Sequence, residues 1–252
     1  MYGIDTDPTK GGQLAAGAVE GPIEAAGGKK TWTGALTTHR GGNGITYDDL
    51  YVHASGQLYL YQSSFSTELD PDSSGLENNN GQYFTRGNRL LPNRPTTCIA
   101  PTGACATYSP NWSKVRQIIA PGDANADGYL DLITIEEDGP DIGGGARGLR
   151  MWMFNGNATT GAFAKATLLG ATGLNNSDLI APGDTTGDQL PDLWARDRAT
   201  GQLHQYASKK NTDGTVDVTA LGNTAARTLI GTGFDGAAYP RLNSDGDLDG
   251  DG

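Results

Sequence analysis

The amino-acid sequence predicts an all-β fold built from four-stranded antiparallel sheets, and three observations support this prediction. Glycine supplies 38 of the 252 residues, and Gly, Asp, Asn and Thr fill the stretches between short apolar runs, as in turn-rich β proteins. One acidic segment recurs along the chain, first at Ile119 and again at Ile180. The runs that follow each copy alternate in polarity or are rich in β-branched and aromatic residues, which is typical of strands.

The first element of the pattern is the acidic segment itself. Ile119–Leu132 and Ile180–Leu193 both read Ile-Ala-Pro-Gly-Asp, then carry Asp four residues later and Asp-Leu four residues further on. A third copy begins at Gly246, where the sequence continues Asp-Leu-Asp-Gly-Asp-Gly. A degenerate copy lies at Gly41–Gly44, before Asp49.

The second element is a pair of strand-like runs after each copy. The paired runs are Leu132–Ile135 with Gly148–Met153, Leu193–Asp197 with Gly201–Tyr206, and Leu50–His53 with Gly56–Tyr61. A looser fourth strand is predicted at Thr215–Val218. Four antiparallel strands in roughly 45 to 80 residues match one blade of a β-propeller, so we expect about four such blades, which could belong to a larger propeller.

The repeats indicate one domain. We expect residues 1–252 to form a single propeller domain or fragment, with an insertion at about residues 63–111. Gly3–Leu14 resembles the stretch that follows an acidic loop and ends in Gly201–Leu203. Two interpretations stay open: the C-terminal copy completes the N-terminal blade and closes a ring, or the chain is a piece of a longer array.

The charge balance excludes one class of partner and suggests another. The chain has 18 Lys and Arg against 29 Asp and Glu, for a formal net charge of −11. An acidic surface repels phosphate backbones, so no nucleic-acid partner is expected. Long apolar runs are missing from the sequence, so no membrane span is expected. Clustered carboxylates are instead suited to holding cations.

The first complete acidic loop is a candidate calcium site. Hard oxygen ligands at alternate positions suit Ca²⁺. The expected ligands are the side chains of Asp123, Asn125, Asp127 and Asp131 and the carbonyl of Tyr129. Gly128 is expected to allow the sharp bend after the fifth loop position. An EF-hand is excluded because strands flank the loop and its twelfth position is Thr rather than Glu. The alternative without a metal is a network of Asx turns that caps a hairpin.

The other copies offer weaker versions of the same ligand set. The second loop offers Asp184, Thr186, Asp188, the Leu190 carbonyl and Asp192. Because Thr186 is a weaker ligand than Asp or Asn, we expect lower affinity there. The third copy offers only Asp247, Asp249 and Asp251, and the degenerate copy at Gly41–Gly44 is expected to be metal-free.

These motifs resemble those of a known family. The loop Asp-x-[Asp/Asn]-x-Asp-Gly-x-x-Asp-Leu, the Ala-Pro-Gly-Asp before it and a period of roughly 60 residues are similar to the FG-GAP (VCBS-type) repeats of integrin-α-like β-propellers. Gly231–Gly236 resembles the Phe-Gly half of that motif, and Ile180–Pro182 its Gly-Ala-Pro half. The resemblance implies calcium in the loops between the first and second strands of each blade. It also implies extracellular binding or adhesion, often beside a secreted enzyme.

The only two cysteines, Cys98 and Cys105, lie close together in the sequence. A zinc site would need two more ligands, and the three histidines lie far away along the chain. We therefore expect a disulfide that pins the insertion, which would imply an oxidising compartment, with two free thiols as the alternative. Met1–Asp5 does not begin a signal peptide, so in a secreted protein the signal would have been removed or would lie upstream.

No catalytic motif is evident. The sequence lacks a nucleophile elbow, a His-Glu-x-x-His motif and a Walker loop. Glu136, Glu137 and Asp138 form a carboxylate cluster, which is expected to be a solvated turn; a glycosidase pair is the alternative.

Aromatic residues at corresponding places in the repeats are candidate ligand contacts. They pack between blades or stack on sugar faces, and both interpretations stay open. These residues are Tyr59, Tyr61, Trp152, Trp194 and Tyr206. The sequence as a whole predicts a secreted, calcium-binding module for an extracellular glycan or protein ligand, with further repeats or a catalytic domain possible in the parent protein. The alternative is an accessory or catalytic part of a secreted hydrolase or lyase.

Overall fold

The fold is all-β over the part of the chain that can be described. The computed structural model describes residues 36–40, 49–61, 63–65, 82–84, 89–90, 94–101, 103–109, 111–157 and 163–244. Helical structure in these ranges is limited to the short 3-10 segments Ala104–Thr107, Trp112–Lys114 and Val218–Gly222. Over the same ranges, no helix is long and apolar enough to cross a membrane.

Seventeen strands account for the regular structure of these residues. In chain order they are β1 Leu36–Arg40, β2 Asp49–Ala54, β3 Gln57–Tyr61, β4 Ser63–Phe65, β5 Gln82–Phe84, β6 Arg89–Leu90, β7 Cys98–Ile99, β8 Val115–Gly122, β9 Asp131–Glu136, β10 Asp141–Gly143, β11 Ala146–Arg147, β12 Arg150–Gly156, β13 Phe163–Gly170, β14 Ser177–Gly183, β15 Asp192–Asp197, β16 Leu203–Tyr206 and β17 Thr228–Gly231.

The longer strands form three sheets of similar design. The first sheet has the order β1-β2-β3-β6, the second β8-β9-β12-β13, and the third β14-β15-β16-β17. All neighbours within these four-stranded units are antiparallel. The second sheet gains a fifth strand because β7 pairs in parallel with β13 at its edge. Two small hairpins, β4-β5 and β10-β11, complete the described strands.

The second sheet is buried on both faces. Along β9 and β12, alternate side chains face opposite directions, as strand geometry requires. Leu132 and Phe154 join an apolar cluster with Leu58 of the first sheet. Ile133 and Met153 join a second cluster with residues of the third sheet. The sheets therefore stack in chain order, with one core on each side of the second sheet.

The first strands of the three sheets are neighbours in space, because β8 contacts both β1 and β14. Gln117 of β8 links two of them. Its side-chain amide donates to the Ser177 carbonyl at 2.7 Å and accepts from the Leu179 N–H at 3.0 Å. The described sheets do not close into a ring. The all-β prediction is thus confirmed, and the propeller is taken up below as a proposal.

The fourth strand of the third sheet is not where the sequence pattern placed it. The predicted strand Thr215–Val218 contributes only an isolated bridge between Val216 and Lys210. Asp217 instead accepts a hydrogen bond from the Thr219 N–H and begins the 3-10 segment Val218–Gly222. The fourth strand is β17, so this prediction was wrong: side-chain capping by Asp217 overrode the β-branched pattern.

The expected disulfide between Cys98 and Cys105 is confirmed. It lies in a segment docked against the second sheet, which we call the docked segment and define as the described residues between Arg94 and Lys114. The Thr97 carbonyl accepts a hydrogen bond from the Ala166 N–H of β13 at 2.9 Å. The disulfide joins β7 to the 3-10 segment that follows it, so it closes a small ring within the docked segment.

Arg94 is the main anchor of the docked segment. Its guanidinium donates to Glu136 at 2.7 Å and to the Asn111 carbonyl at 2.9 Å. It also lies 4.5 Å from the ring centroid of Tyr108 and 4.7 Å from that of Phe154, so cation–π contacts add to the ion pair. Because both charged side chains are at most 1% exposed, each depends on the other to offset its desolvation.

Reduction of the disulfide should loosen the docked segment while the sheets stay folded. A ring of this size is expected to contribute about 2.5 kcal/mol in the chain-entropy model. Limited proteolysis followed by mass spectrometry, with and without reductant, checks this. The new cleavage sites should lie in the docked segment. A variant with both Cys98→Ser and Cys105→Ser should show those sites without reductant, and first cleavage inside β8–β16 would contradict the prediction.

Breaking the Arg94–Glu136 pair should be costly. Arg94→Met should lower the free energy of unfolding by about 3–5 kcal/mol, because it leaves the Glu136 carboxylate buried and unpaired. Arg116→Met is the matched control, since Arg116 pairs with Glu137 at the surface, where about 0–1 kcal/mol is expected. Urea denaturation measures both values. Equal losses in the two variants would show that the buried pair does not anchor the segment.

Candidate functional site: the acidic loops

The first acidic loop joins β8 to β9. Its backbone enters the left-handed region at Ala126 (φ 58°) and at Gly128 (φ 86°). These two turns fold the chain around the Asp123 carboxylate. That carboxylate accepts hydrogen bonds from the Asp127 N–H at 3.1 Å and the Gly128 N–H at 2.7 Å. Gly128, which was expected to allow the sharp bend, is therefore one of two residues with left-handed backbone in the loop, and Ala126 is the other.

The other polar side chains of the first loop also order its backbone. The side-chain oxygen of Asn125 accepts from the Asp127 N–H at 2.9 Å, and the side-chain NH₂ of Asn125 donates to the Asp127 carboxylate at 2.8 Å. Asp127 in turn accepts from the Tyr129 N–H at 3.0 Å. Asp127 is exposed, so its carboxylate remains accessible to a cation from solvent.

Asp131 closes the loop from the inside. Its side chain is fully buried, and its two oxygens accept from the Ala124 N–H at 2.9 Å and the Gly156 N–H at 3.0 Å. One carboxylate therefore ties the start of the loop to the end of β12. Burial raises the pKa of Asp131 to about 7; the two N–H donors oppose this rise, and the nearby carboxylates of Asp127 and Asp123 add to it.

The contact with β12 also explains a glycine. A Cβ on Gly156 would lie 2.4 Å from the Leu130 carbonyl oxygen. Any side chain at this position would push the loop away from the strand end. The close approach of the Gly156 N–H to Asp131 therefore depends on glycine at that position.

The second acidic loop joins β14 to β15 and has the same frame. It enters the left-handed region at the same two loop positions, here Gly187 (φ 76°) and Gln189 (φ 67°). The Asp184 carboxylate accepts from the Asp188 N–H at 3.3 Å and the Gln189 N–H at 2.6 Å. Asp188 accepts from the Leu190 N–H at 3.0 Å.

Asp192 closes the second loop as Asp131 closes the first. It is fully buried and accepts from the Thr185 N–H at 3.0 Å and the Ser208 N–H, just beyond β16, at 2.9 Å. The ladder positions agree as well, since Gly122 pairs with Asp131 and Gly183 with Asp192, each after a bulge. Two stretches of different sequence thus build one loop geometry at the same place in neighbouring sheets.

The second loop has side-chain donors that the sequence reasoning missed. The Thr185 hydroxyl donates to Asp192 at 2.6 Å, and the Gln205 amide donates to Asp192 at 3.1 Å. The Lys210 ammonium donates to the Asp188 carbonyl at 2.8 Å. Sequence comparison alone would have flagged only Thr185, which is matched by Ala124 in the first copy. The equivalence of Gln205 with Met153 is visible only in the strand pairing.

The donor chemistry of the first loop fits calcium, because every expected ligand is an oxygen. Asn125 is a neutral ligand and Tyr129 would contribute only its carbonyl, so the charge comes from the aspartates. Over the described residues, no three acidic, His or Cys side chains converge as a ready-made metal cluster. The loop is held instead by the hydrogen bonds above. The expected ligands Asp247, Asp249 and Asp251, and the degenerate loop Gly41–Gly44, lie outside the described residues.

The five candidate aromatic residues do not share one surface. Trp152 is fully buried in the cluster between the first and second sheets, and Tyr206 in the cluster between the second and third. Tyr59 and Trp194 are partly exposed. The side chain of Tyr61 lies outside the described residues. Trp152 and Tyr206 therefore occupy packing positions, and Tyr59 and Trp194 are the two whose side chains reach solvent.

The three consecutive carboxylates at the end of β9 have separate environments. Glu136 pairs with Arg94 in the interior, and Glu137 pairs with Arg116 at the surface. Asp138 is 4% exposed and accepts a 2.9 Å hydrogen bond from the indole of Trp152. Burial raises the pKa of Asp138 to about 6, with a further rise from the Glu136 charge. The sequence predicts that all three carboxylates are solvated, and only the side chain of Glu137 is exposed at the surface.

Comparison with known proteins adds no identification: no protein-family model matches the chain, and no curated protein matches it in sequence.

Asp138→Asn should stabilise the protein above pH 6. The folded-state pKa of Asp138 lies above its unfolded value of about 4, so its contribution to stability is fully present below pH 4 and is lost as the pH rises through 6. A neutral Asn keeps the acceptor for Trp152 and removes that loss, with a gain of up to about 3 kcal/mol at pH 8. Unfolding measured from pH 4 to 8 checks this. Parallel curves for the variant and the wild type would contradict it.

Proposed function

We propose that this chain is an extracellular, calcium-binding β-propeller module of the FG-GAP type, which binds a glycan or protein ligand. The observation that carries the proposal is the common geometry of the two acidic loops. Both share the left-handed turns, a first Asp that accepts the backbone N–H groups of the fifth and sixth loop positions, and the buried closing Asp. Both occupy the connection between the first two strands of a sheet, where the family resemblance implies calcium.

In the first loop, calcium would be held by the side chains of Asp123, Asn125, Asp127 and Asp131 and by the Tyr129 carbonyl. A carboxylate oxygen that accepts one N–H keeps a second lone pair, so the hydrogen bonds of the loop are compatible with metal binding. The bound cation would supply the positive charge that these side chains lack. Left-handed backbone at Ala126, which costs energy without glycine, also favours a loop shaped for a ligand.

The sheet arrangement supports the propeller part of the proposal. Three four-stranded antiparallel sheets stack face to face, and their first strands are neighbours. Blades of a propeller are sheets of this size arranged around an axis. The disulfide supports an oxidising, extracellular location. Contact with the glycan or protein ligand is proposed for Tyr59 and Trp194, whose side chains are partly exposed.

Calcium should raise the melting temperature of the chain. Binding to the folded state alone stabilises it by about 2.7 kcal/mol at a hundredfold excess over Kd, which corresponds to roughly 5–10 °C for a protein of this size. Differential scanning fluorimetry with EGTA and with restored Ca²⁺ measures the shift. Asp127→Ala should remove most of it, because the change deletes an exposed charged ligand.

Asp213→Ala is the matched control for that experiment. Asp213 accepts from the Thr215 N–H at 2.9 Å in an exposed turn outside the acidic loops. The control should keep the full calcium shift. If wild-type protein gives no shift when Ca²⁺ is restored, the proposed calcium binding is wrong. A second experiment tests the ligand-binding part of the proposal. Binding to a glycan array without turnover would indicate a binding module, and turnover would indicate a hydrolase or lyase.

A further inference from the structure

The two acidic loops share a frame but differ in how their carboxylates are satisfied. We infer that calcium binds at the first loop and not at the second, where Thr185, Gln205 and Lys210 take over the role of the cation. The inference rests on the proposed calcium binding and adds to it which loop is selective for the metal and why. Thr186 alone would make the second loop only a weaker version of the first.

The closing carboxylates show the difference most directly. Asp131 accepts two hydrogen bonds, both from backbone N–H groups. Asp192 accepts the two equivalent backbone bonds and two more from side chains, the Thr185 hydroxyl and the Gln205 amide. Gln205 also donates to the Thr185 hydroxyl at 2.7 Å, so the two donors support each other. Three of these four bonds fall on Oδ2 of Asp192, the oxygen bonded to the start of the loop, whereas Oδ2 of Asp131 accepts only the Ala124 N–H. At Asp192 that oxygen has no lone pair left for a cation.

Lys210 adds a positive charge at the same loop. Its ammonium lies 2.8 Å from the carbonyl oxygen of Asp188, the residue at the fifth loop position. A positive charge held beside a loop carbonyl repels a divalent cation that approaches the same loop. The second loop thus holds a covalently attached cation where the first would recruit one from solvent.

In the first copy, which carries the first loop, the residues equivalent to these three donors are apolar. Ala124 and Thr185 each follow the first Asp of their loop. Met153 and Gln205 each pair with the third residue of the neighbouring strand, Ile133 and Trp194 respectively. By sequence position, Ala158 corresponds to Lys210. The first copy therefore has none of the three donors at the equivalent positions.

The test compares variants of the second loop in the full chain by NMR, with the amides of Gly128 and Gly187 as reporters of the two loops. In the wild type, Ca²⁺ should shift Gly128 and leave Gly187 unchanged. Thr186→Asn alone should leave Gly187 unchanged, since it restores the ligand but keeps the donors. Adding Thr185→Ala, Gln205→Met and Lys210→Ala should make Gly187 respond to Ca²⁺. The version with Lys210 retained should need roughly threefold to tenfold more Ca²⁺.

A matched control replaces Lys209 in place of Lys210, because Lys209 is an exposed neighbour that does not donate to the loop carbonyl. With Lys209→Ala in the combined variant, the calcium requirement should equal that of the version with both lysines. The inference is overturned if Gly187 responds in the wild type, if Thr186→Asn alone makes it respond, or if the full set of changes leaves it silent while Gly128 responds. If neither glycine responds in any variant, the proposed calcium binding itself is wrong.

Discussion

The structure depends on one recurring interaction, the buried carboxylate that closes each acidic loop. Asp131 and Asp192 each bring together two chain segments, the beginning of the loop and the end of the third strand of the sheet. A carboxyl group buried in a β-sheet protein is costly unless it is hydrogen-bonded, and these two are bonded by backbone N–H groups that would otherwise lack partners. The same bonds hold the remaining loop aspartates at the surface. The apolar clusters on both faces of the second sheet therefore end at an edge where hydrogen bonds order the acidic loops.

Much of this architecture follows from the sequence, for a simple physical reason. Strands β9 and β15 begin at the closing Asp of each loop, so the repeat identified them directly. Their alternating residues then fix which faces are buried. The left-handed turn at Gly128 was predicted from glycine, whereas the turns at Ala126 and Gln189 were not, because neither residue favours that conformation. The equivalence of the loop frames becomes visible only when backbone angles are compared.

Other parts of the site could not be predicted from the pattern of residues. Arg94 lies 42 residues from Glu136 in the chain, and nothing in the periodicity of either segment points to the other. Lys210 donates to the Asp188 carbonyl, 22 residues earlier in the chain, and the repeat does not indicate that contact. The environments of Glu136, Glu137 and Asp138 differ although the residues are consecutive, because successive positions face different surroundings. Contacts of this kind are decided by tertiary packing.

The side chain of Gln117 has a mechanical consequence for the boundary between the second and third sheets. Apolar side chains resist separation of two stacked sheets but give little resistance to sliding, since one methyl group replaces another at small cost. Gln117 donates to one backbone group of β14 and accepts from another two residues along. A slip of one residue would break both bonds at once and leave the partly buried amide without these two backbone partners. Gln117 therefore fixes the alignment of β8 with β14, and in this way it keeps the acidic loops of adjacent sheets in register.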